Sequence, residues 1–189
     1  MASSVKRQPK LGLEFYARPA DAVAKDLLGT TLVINHDGFQ QRGRIVETEA
    51  YLGEQDLAAH SSKGRTPRTK VMFGPPAVSY VYLIYGMYDM FNIVTDKEDS
   101  AHAVLIRAVE PLLNIKGKTD GPGKLCREMG ITRDHNKLSL LGDQIWLEQG
   151  TPAQNTKATP RIGIDYAKEW KDAPLRFLDA DSKFVSKPR

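Results

Sequence analysis

From Arg44 to Leu52 the chain reads Arg-Ile-Val-Glu-Thr-Glu-Ala-Tyr-Leu. An extended segment turns successive side chains to opposite faces. Val46, Thr48, Ala50 and Leu52 then fall on one side, suited to a core, and Glu47, Glu49 and Tyr51 on the other. Two carboxylates and an aromatic ring thus share a face, the carboxylates roughly 6.5–7 Å apart by strand rise. Paired carboxylates near that separation can hydrolyse a glycosidic bond with inversion. The same pattern also describes a half-exposed strand with a solvated face. Spacing alone does not separate Glu47 from Glu49.

Other residues with chemical potential lie downstream. His60 follows within Ala58-Ala59-His60-Ser61. The four histidines (His36, His60, His102, His135) form no ligand-spaced pair, and Cys126 is the only cysteine. A thiolate cluster and an intrachain disulfide are excluded, and no metal or other cofactor is expected. Gly117-Lys118-Thr119 looks like the end of a phosphate-binding loop, but Leu112 stands where the first glycine belongs, so no nucleotide triphosphate site is assigned. Four of the seven tyrosines fall between Tyr80 and Tyr88. They suit either an aromatic core hairpin or an exposed wedge of the kind that replaces an extruded base in a nucleic-acid stack. From Leu57 through Tyr88 there is no acidic residue, while Lys63, Arg65, Arg68 and Lys70 cluster. A second basic stretch holds Lys116, Lys118, Lys124 and Arg127, with Asp120 and Glu128 among them. Both suit solvated loops or a polyanionic partner.

These residues need a frame. Asp21 to Leu28 is apolar at helical spacing and stops at Gly29. Thr30 to Asn35 and Gln40 to Leu52 read as strands joined at Asp37-Gly38. Gly53 to Lys70 is a long polar stretch, and such loops are often functional. Val78 to Tyr85 and Tyr88 to Thr95 read as a second hairpin, and Ala103 to Val109 as a strand stopped by Pro111. Gly121-Pro122-Gly123 opens a short helix. Ile145 to Glu148 and Leu175 to Leu178 are short strands separated by a polar linker. The expected class is α+β: a compact single domain over 11–189 with a mixed, mostly antiparallel curved sheet, a few short helices and a protruding β-hairpin. Residues 1–10 are expected to be a disordered basic arm without a secretory signal. With 189 residues, 41% hydrophobic and 26% charged, the chain can bury a sizeable core, and no apolar run is long enough for a membrane helix. A net charge of +4 is compatible with a polyanion but too mild to prove one.

Taken together, Arg44 to Gly53, Ala58-Ala-His-Ser61, Thr66-Pro-Arg68, Met72-Phe73, Tyr80 to Tyr88, Asn92, Leu105 to Pro111 and Gly121 to Cys126 resemble the alkyladenine DNA glycosylase family, the human-type 3-methyladenine DNA glycosylases. The resemblance runs from about Leu11 to about Phe177 and points to a bacterial member. It implies a metal-free enzyme that flips alkylated or deaminated purines out of duplex DNA, bound through the minor groove, and hydrolyses the N-glycosidic bond without strand cleavage. Glu49 matches the residue that activates water, and Arg107 one that helps to hold water and nucleotide. Tyr51 and His60 match the pair that sandwiches the base, with Tyr82 on its edge. Ala58 and Leu105 fall at the pocket, and Asn92 matches an amide opposing a 2-amino group. Tyr85 matches the side chain that fills the vacated stack. Met72, Arg65, Arg68, Lys70 and Lys124 are expected at the DNA. The loop bearing Arg65 and the segment between Pro111 and Gly121 are shorter than in mammalian members. Glu47 is expected to be structural. A monomer acting in the cytoplasm is expected. Two other functions fit parts of the sequence: a non-catalytic module for distorted nucleic acid, for which Glu49 would be superfluous, and a hydrolase of free nucleosides, for which the acid-free basic stretch would be.

Overall fold

The computed structural model of the chain describes residues 7–187. Asp37 and Gly38 both take left-handed φ, 50° and 96°. This is the type I′ geometry that matches strand twist. It folds β1 (Thr31–His36) onto β2 (Phe39–Leu52), with His36 opposite Phe39. A second turn of the same hand, with φ of 53° at Tyr85 and 67° at Gly86, joins β3 (Val78–Ile84) to β4 (Tyr88–Thr95). Tyr85 is therefore the turn residue, not the last of the strand. The tip projects: Tyr85 is 82% and Met87 66% exposed.

The remaining strands are β5 (His102–Leu113), β6 (Ile145–Glu148), β7 (Thr156–Thr159) and β8 (Arg176–Asp179). They complete one curled sheet in the order β3-β4-β5-β2-β1-β6. β8 joins β2 beyond the end of β1, and β7 pairs with β8. Every pairing among the described residues is antiparallel. The expected α+β class with a curved sheet, few short helices and a projecting hairpin holds.

Register slips in the β2–β5 ladder set the functional face. Ile45 pairs with Val109, but Glu47 pairs with Ala108 and Thr48 with Ile106. Val46 on β2 and Arg107 on β5 are thus left without a cross-strand partner. Bulges of this kind re-aim side chains beside sites. Ile45 and Ala50 consequently share the main core, as do Ile106 and Val109. Val46, expected with the core face of Thr48, Ala50 and Leu52, is buried but lies outside that cluster.

One face of the sheet packs on three short helices, α1 (Leu13–Tyr16), α2 (Ala20–Asp26) and α3 (Pro122–Glu128). Tyr16, Val23, Leu27, Leu125 and Met129 meet Ile45, Phe91, Ile93, Val104 and Ile106 there. At about 1.5–3 kcal/mol per fully buried large side chain, this face carries most of the stabilisation. The other face carries Glu47, Glu49, Tyr51, Tyr80, Tyr82, Asn92, Leu105 and Arg107.

Three elements differ from the sequence reading. β5 runs through Pro111 to Leu113, because β4 covers only His102 to Leu105 of its outer edge and a proline there need cost no ladder bond. β7 lies inside the expected linker; three of its four residues are polar and most are exposed, so no alternation marks it. The polar stretch 53–70 contains a 3-10 turn at His60–Lys63. Residues 1–6 of the expected arm lie outside the described residues. Gln8 to Leu11 run along β6, where Gln8 N–H donates to Glu148 at 3.1 Å and Leu11 N–H to Leu147 at 2.9 Å. Among the described residues no helix is long and apolar enough to cross a membrane.

Candidate active site

Glu47 and Glu49, two residues apart on β2, have different surroundings. Both are wholly buried. Glu47 accepts from Arg107 Nε (2.9 Å), Arg176 Nε (2.7 Å), Ser186 Oγ (2.8 Å) and the Ser186 N–H (2.6 Å). This saturates it inside the fold. Glu49 instead borders an open cleft of about 1090 Å³. One oxygen accepts the Ile162 N–H at 2.8 Å and lies 3.3 Å from an Arg107 amino group. The other accepts the Tyr51 hydroxyl at 2.8 Å. Burial disfavours the charge on Arg107, but Glu49 and Glu47 outweigh it and raise its pKa.

Aromatic side chains line the same cleft. Tyr51 borders it at the end of β2, its ring backed by Ala58, Ile164 and Ala167. Burial, then the negative charge of Glu49, push its phenol pKa well above the usual value. His60 stands on the next loop, with Nδ1 3.0 Å from the Tyr80 hydroxyl and its ring 4.5 Å from that of Tyr82. Burial and then the nearby Arg68 and Lys63 lower its pKa to about 4, so the imidazole is neutral at pH 7. Asn92 on β4 is buried and donates its amide to the carbonyls of Tyr80 (3.1 Å) and Met90 (3.3 Å), which fixes its orientation. Leu105 and Met72 are nearly buried and also border the cleft.

The structure thus brings Glu49, Arg107, Tyr51, Ala58, His60, Met72, Tyr82, Tyr85, Asn92, Leu105 and Lys124 to one cleft. Arg65, Arg68 and Lys70 are not among its lining. Arg68 lies over the Tyr82 ring at 4.9 Å. Arg65 is paired with Asp99 and stacked at 4.7 Å over Phe73, and Lys70 is exposed. Lys124 is held by Asp120 at 2.9 Å. Several residues escaped the sequence reading: Arg161, Ile162, Tyr166, Arg176 and Ser186 close the cleft from the C-terminal third. Ile162 contributes a backbone N–H, which no residue type signals. Among the described residues no group of three or more His, Cys, Asp or Glu could hold a metal ion.

The arrangement sets a carboxylate with an arginine beside it among aromatic rings at one open cleft. Comparison with known proteins bears on its chemistry. The model of the methylpurine-DNA glycosylase family matches residues 14–183. A Myxococcus xanthus protein named "Putative 3-methyladenine DNA glycosylase" is 53% identical over 177 residues, covering 92% of this chain and 91% of its own. Proteins of the same name from Legionella pneumophila strain Lens (53% over 183 residues, 94% and 98%) and Methanocella arvoryzae (47% over 193 residues, 95% and 96%) are likewise similar.

Proposed function

This chain belongs to the methylpurine-DNA glycosylase family, and from that premise we propose that it flips alkylated or deaminated purines out of duplex DNA and hydrolyses their N-glycosidic bond. The observation that carries the reading is the contrast between the two carboxylates. Glu47 has its bonding capacity filled, whereas Glu49 stands at the cleft between a stacking ring and a guanidinium. A water lodged there would lose a proton to Glu49 and attack the anomeric carbon. The carbon–nitrogen bond breaks, its electron pair leaves with the base, and an abasic site remains. General-base assistance is worth about 10²–10⁴-fold. Arg107, tied to both carboxylates, positions Glu49 and the nucleotide.

Selectivity follows from stacking. Tyr51 and neutral His60 grip the base, with Tyr82 at its edge and Leu105 and Ala58 in the walls. A purine alkylated at N3 or N7 is cationic, favours π faces and leaves readily. Asn92, pinned by its hydrogen bonds to backbone carbonyls so that it cannot swing aside, disfavours a 2-amino group by its bulk. Extrusion costs a few kcal/mol, and Tyr85 on the projecting tip offsets part of that by filling the gap from the minor groove. Arg65, Arg68, Lys70 and Lys124 meet phosphates, with Met72 beneath them. Lys124 and Lys187 border the cleft, but neither is bonded to Glu49 in this structure. We assign a monofunctional hydrolase acting as a monomer, and borohydride trapping is expected to give no covalent DNA adduct.

The deciding experiment uses duplexes with one 3-methyladenine or hypoxanthine, scored for abasic sites. The native chain is expected to release the base, and Glu49→Gln to lose at least a hundredfold while still binding the duplex. Release by Glu49→Gln at the native rate would remove the assignment.

A further inference from the structure

One buried ion pair has no part in the chemistry above. Arg161 donates to both oxygens of Asp56, at 2.5 and 2.9 Å, and to the Ala50 carbonyl at 2.9 Å. Asp56 also accepts the N–H groups of Leu52 and Ala58, each at 3.0 Å. Both side chains are fully buried, and Arg161 Nε has no hydrogen-bond partner among the described residues. Apolar residues of similar volume often stabilise a fold as well as such a pair. Stability alone therefore gives no account of charge at this place.

The placement relative to Tyr51 does. The Arg161 guanidinium lies 4.8 Å from the centre of the Tyr51 ring. Arg161 borders the cleft as a residue, but its side chain is fully buried, so the ring face that the guanidinium covers is closed, while Tyr51 itself borders the cleft. The positive end of the ion pair therefore lies at the ring. A guanidinium over one face draws on the same π density that a cation on the other face would use. A base stacked on the open face would add about 4.5 Å or more, close enough for charge to be felt through a dry protein layer. A neutral base is nearly indifferent to it.

We propose that the Asp56–Arg161 pair is a specificity-determining device that acts through Tyr51: it restrains the stacking advantage of cationic alkylated purines, so that neutral damaged purines compete. This rests on Tyr51 being the platform for the flipped base.

Single-turnover excision of 7-methylguanine (cationic) and hypoxanthine (neutral) from matched duplexes tests it. Removing both charges with Asp56→Asn plus Arg161→Gln should raise the 7-methylguanine-to-hypoxanthine rate ratio about three- to tenfold. Asp56→Asn alone leaves the guanidinium unscreened and should lower the ratio. These opposite signs are not expected of a purely structural pair, whose loss would slow both bases alike. An unmoved ratio, or one moving the same way in both variants, overturns the inference. Should the doubly substituted chain not fold, the direction in Asp56→Asn decides. If the native chain releases neither base, the platform reading fails and this inference with it; if it releases both and the ratio is unmoved, only this inference fails.

Discussion

A carboxylate that accepts from two guanidinium groups and a serine has little capacity left for a water molecule. Glu47 is in that position, so its removal is a problem of folding before it is one of chemistry. Glu47→Gln leaves Arg176 buried without its counter-charge and Arg107 with Glu49 alone, and breaking a buried pair in this way typically costs about 3–5 kcal/mol. Denaturant unfolding should show that loss, whereas Glu49→Gln, at the cleft edge, should lose much less. His60 makes a prediction in pH. Its folded pKa, about 4, lies below the value near 6.5 of an unfolded imidazole. The unfolded chain then takes up a proton that the folded chain refuses. The contribution is full above about pH 6.5 and is lost as pH falls toward 4. His102 and His135 are also lowered, first by burial, and act in the same direction. Thermal melts between pH 7 and pH 4.5 should fall, and less steeply in His60→Gln.

The β3–β4 hairpin separates two roles that adjacent residues play. Tyr85 is too exposed to hold the fold, so Tyr85→Ala should melt with the native protein yet excise from duplex DNA at least tenfold more slowly. Gly86 has φ of 67°, so Gly86→Val should cost about 1–3 kcal/mol through backbone strain, visible in the same melts. How far these elements can be read from sequence depends on what marks them. Asp37-Gly38 and the tyrosine-flanked Gly86 announce their turns because only a few residues tolerate left-handed φ. Glu49 and Tyr51 share a face by strand alternation alone. The bulges at Val46 and Arg107 leave no such trace: they break the alternation, which is why Val46 reads as core and Arg107 needed the family resemblance to stand out. β7 is legible only through its pairing with β8. The Ile162 N–H on Glu49 and the Arg161–Asp56 pair join segments that no local pattern connects.

At the scale of the whole molecule, basic side chains lie outside the cleft as well as in its lining. Arg68, Lys70 and Lys124 are exposed. If they meet phosphates, duplex affinity should fall linearly on a log–log plot against salt. Each of Arg68→Ala and Lys70→Ala should then reduce that slope by about one, without changing which lesion is preferred. The sequence separations within the site have another consequence. Glu47 meets Ser186 across 139 residues, and Arg161 meets Asp56 across 105. The hairpins close over only a few residues each. Loop closure delays distant contacts relative to local ones. After dilution from denaturant, the sheet signal should therefore return before the enzyme does, and the lag between circular dichroism and recovered base release would time the moment at which the C-terminal third locks onto β2.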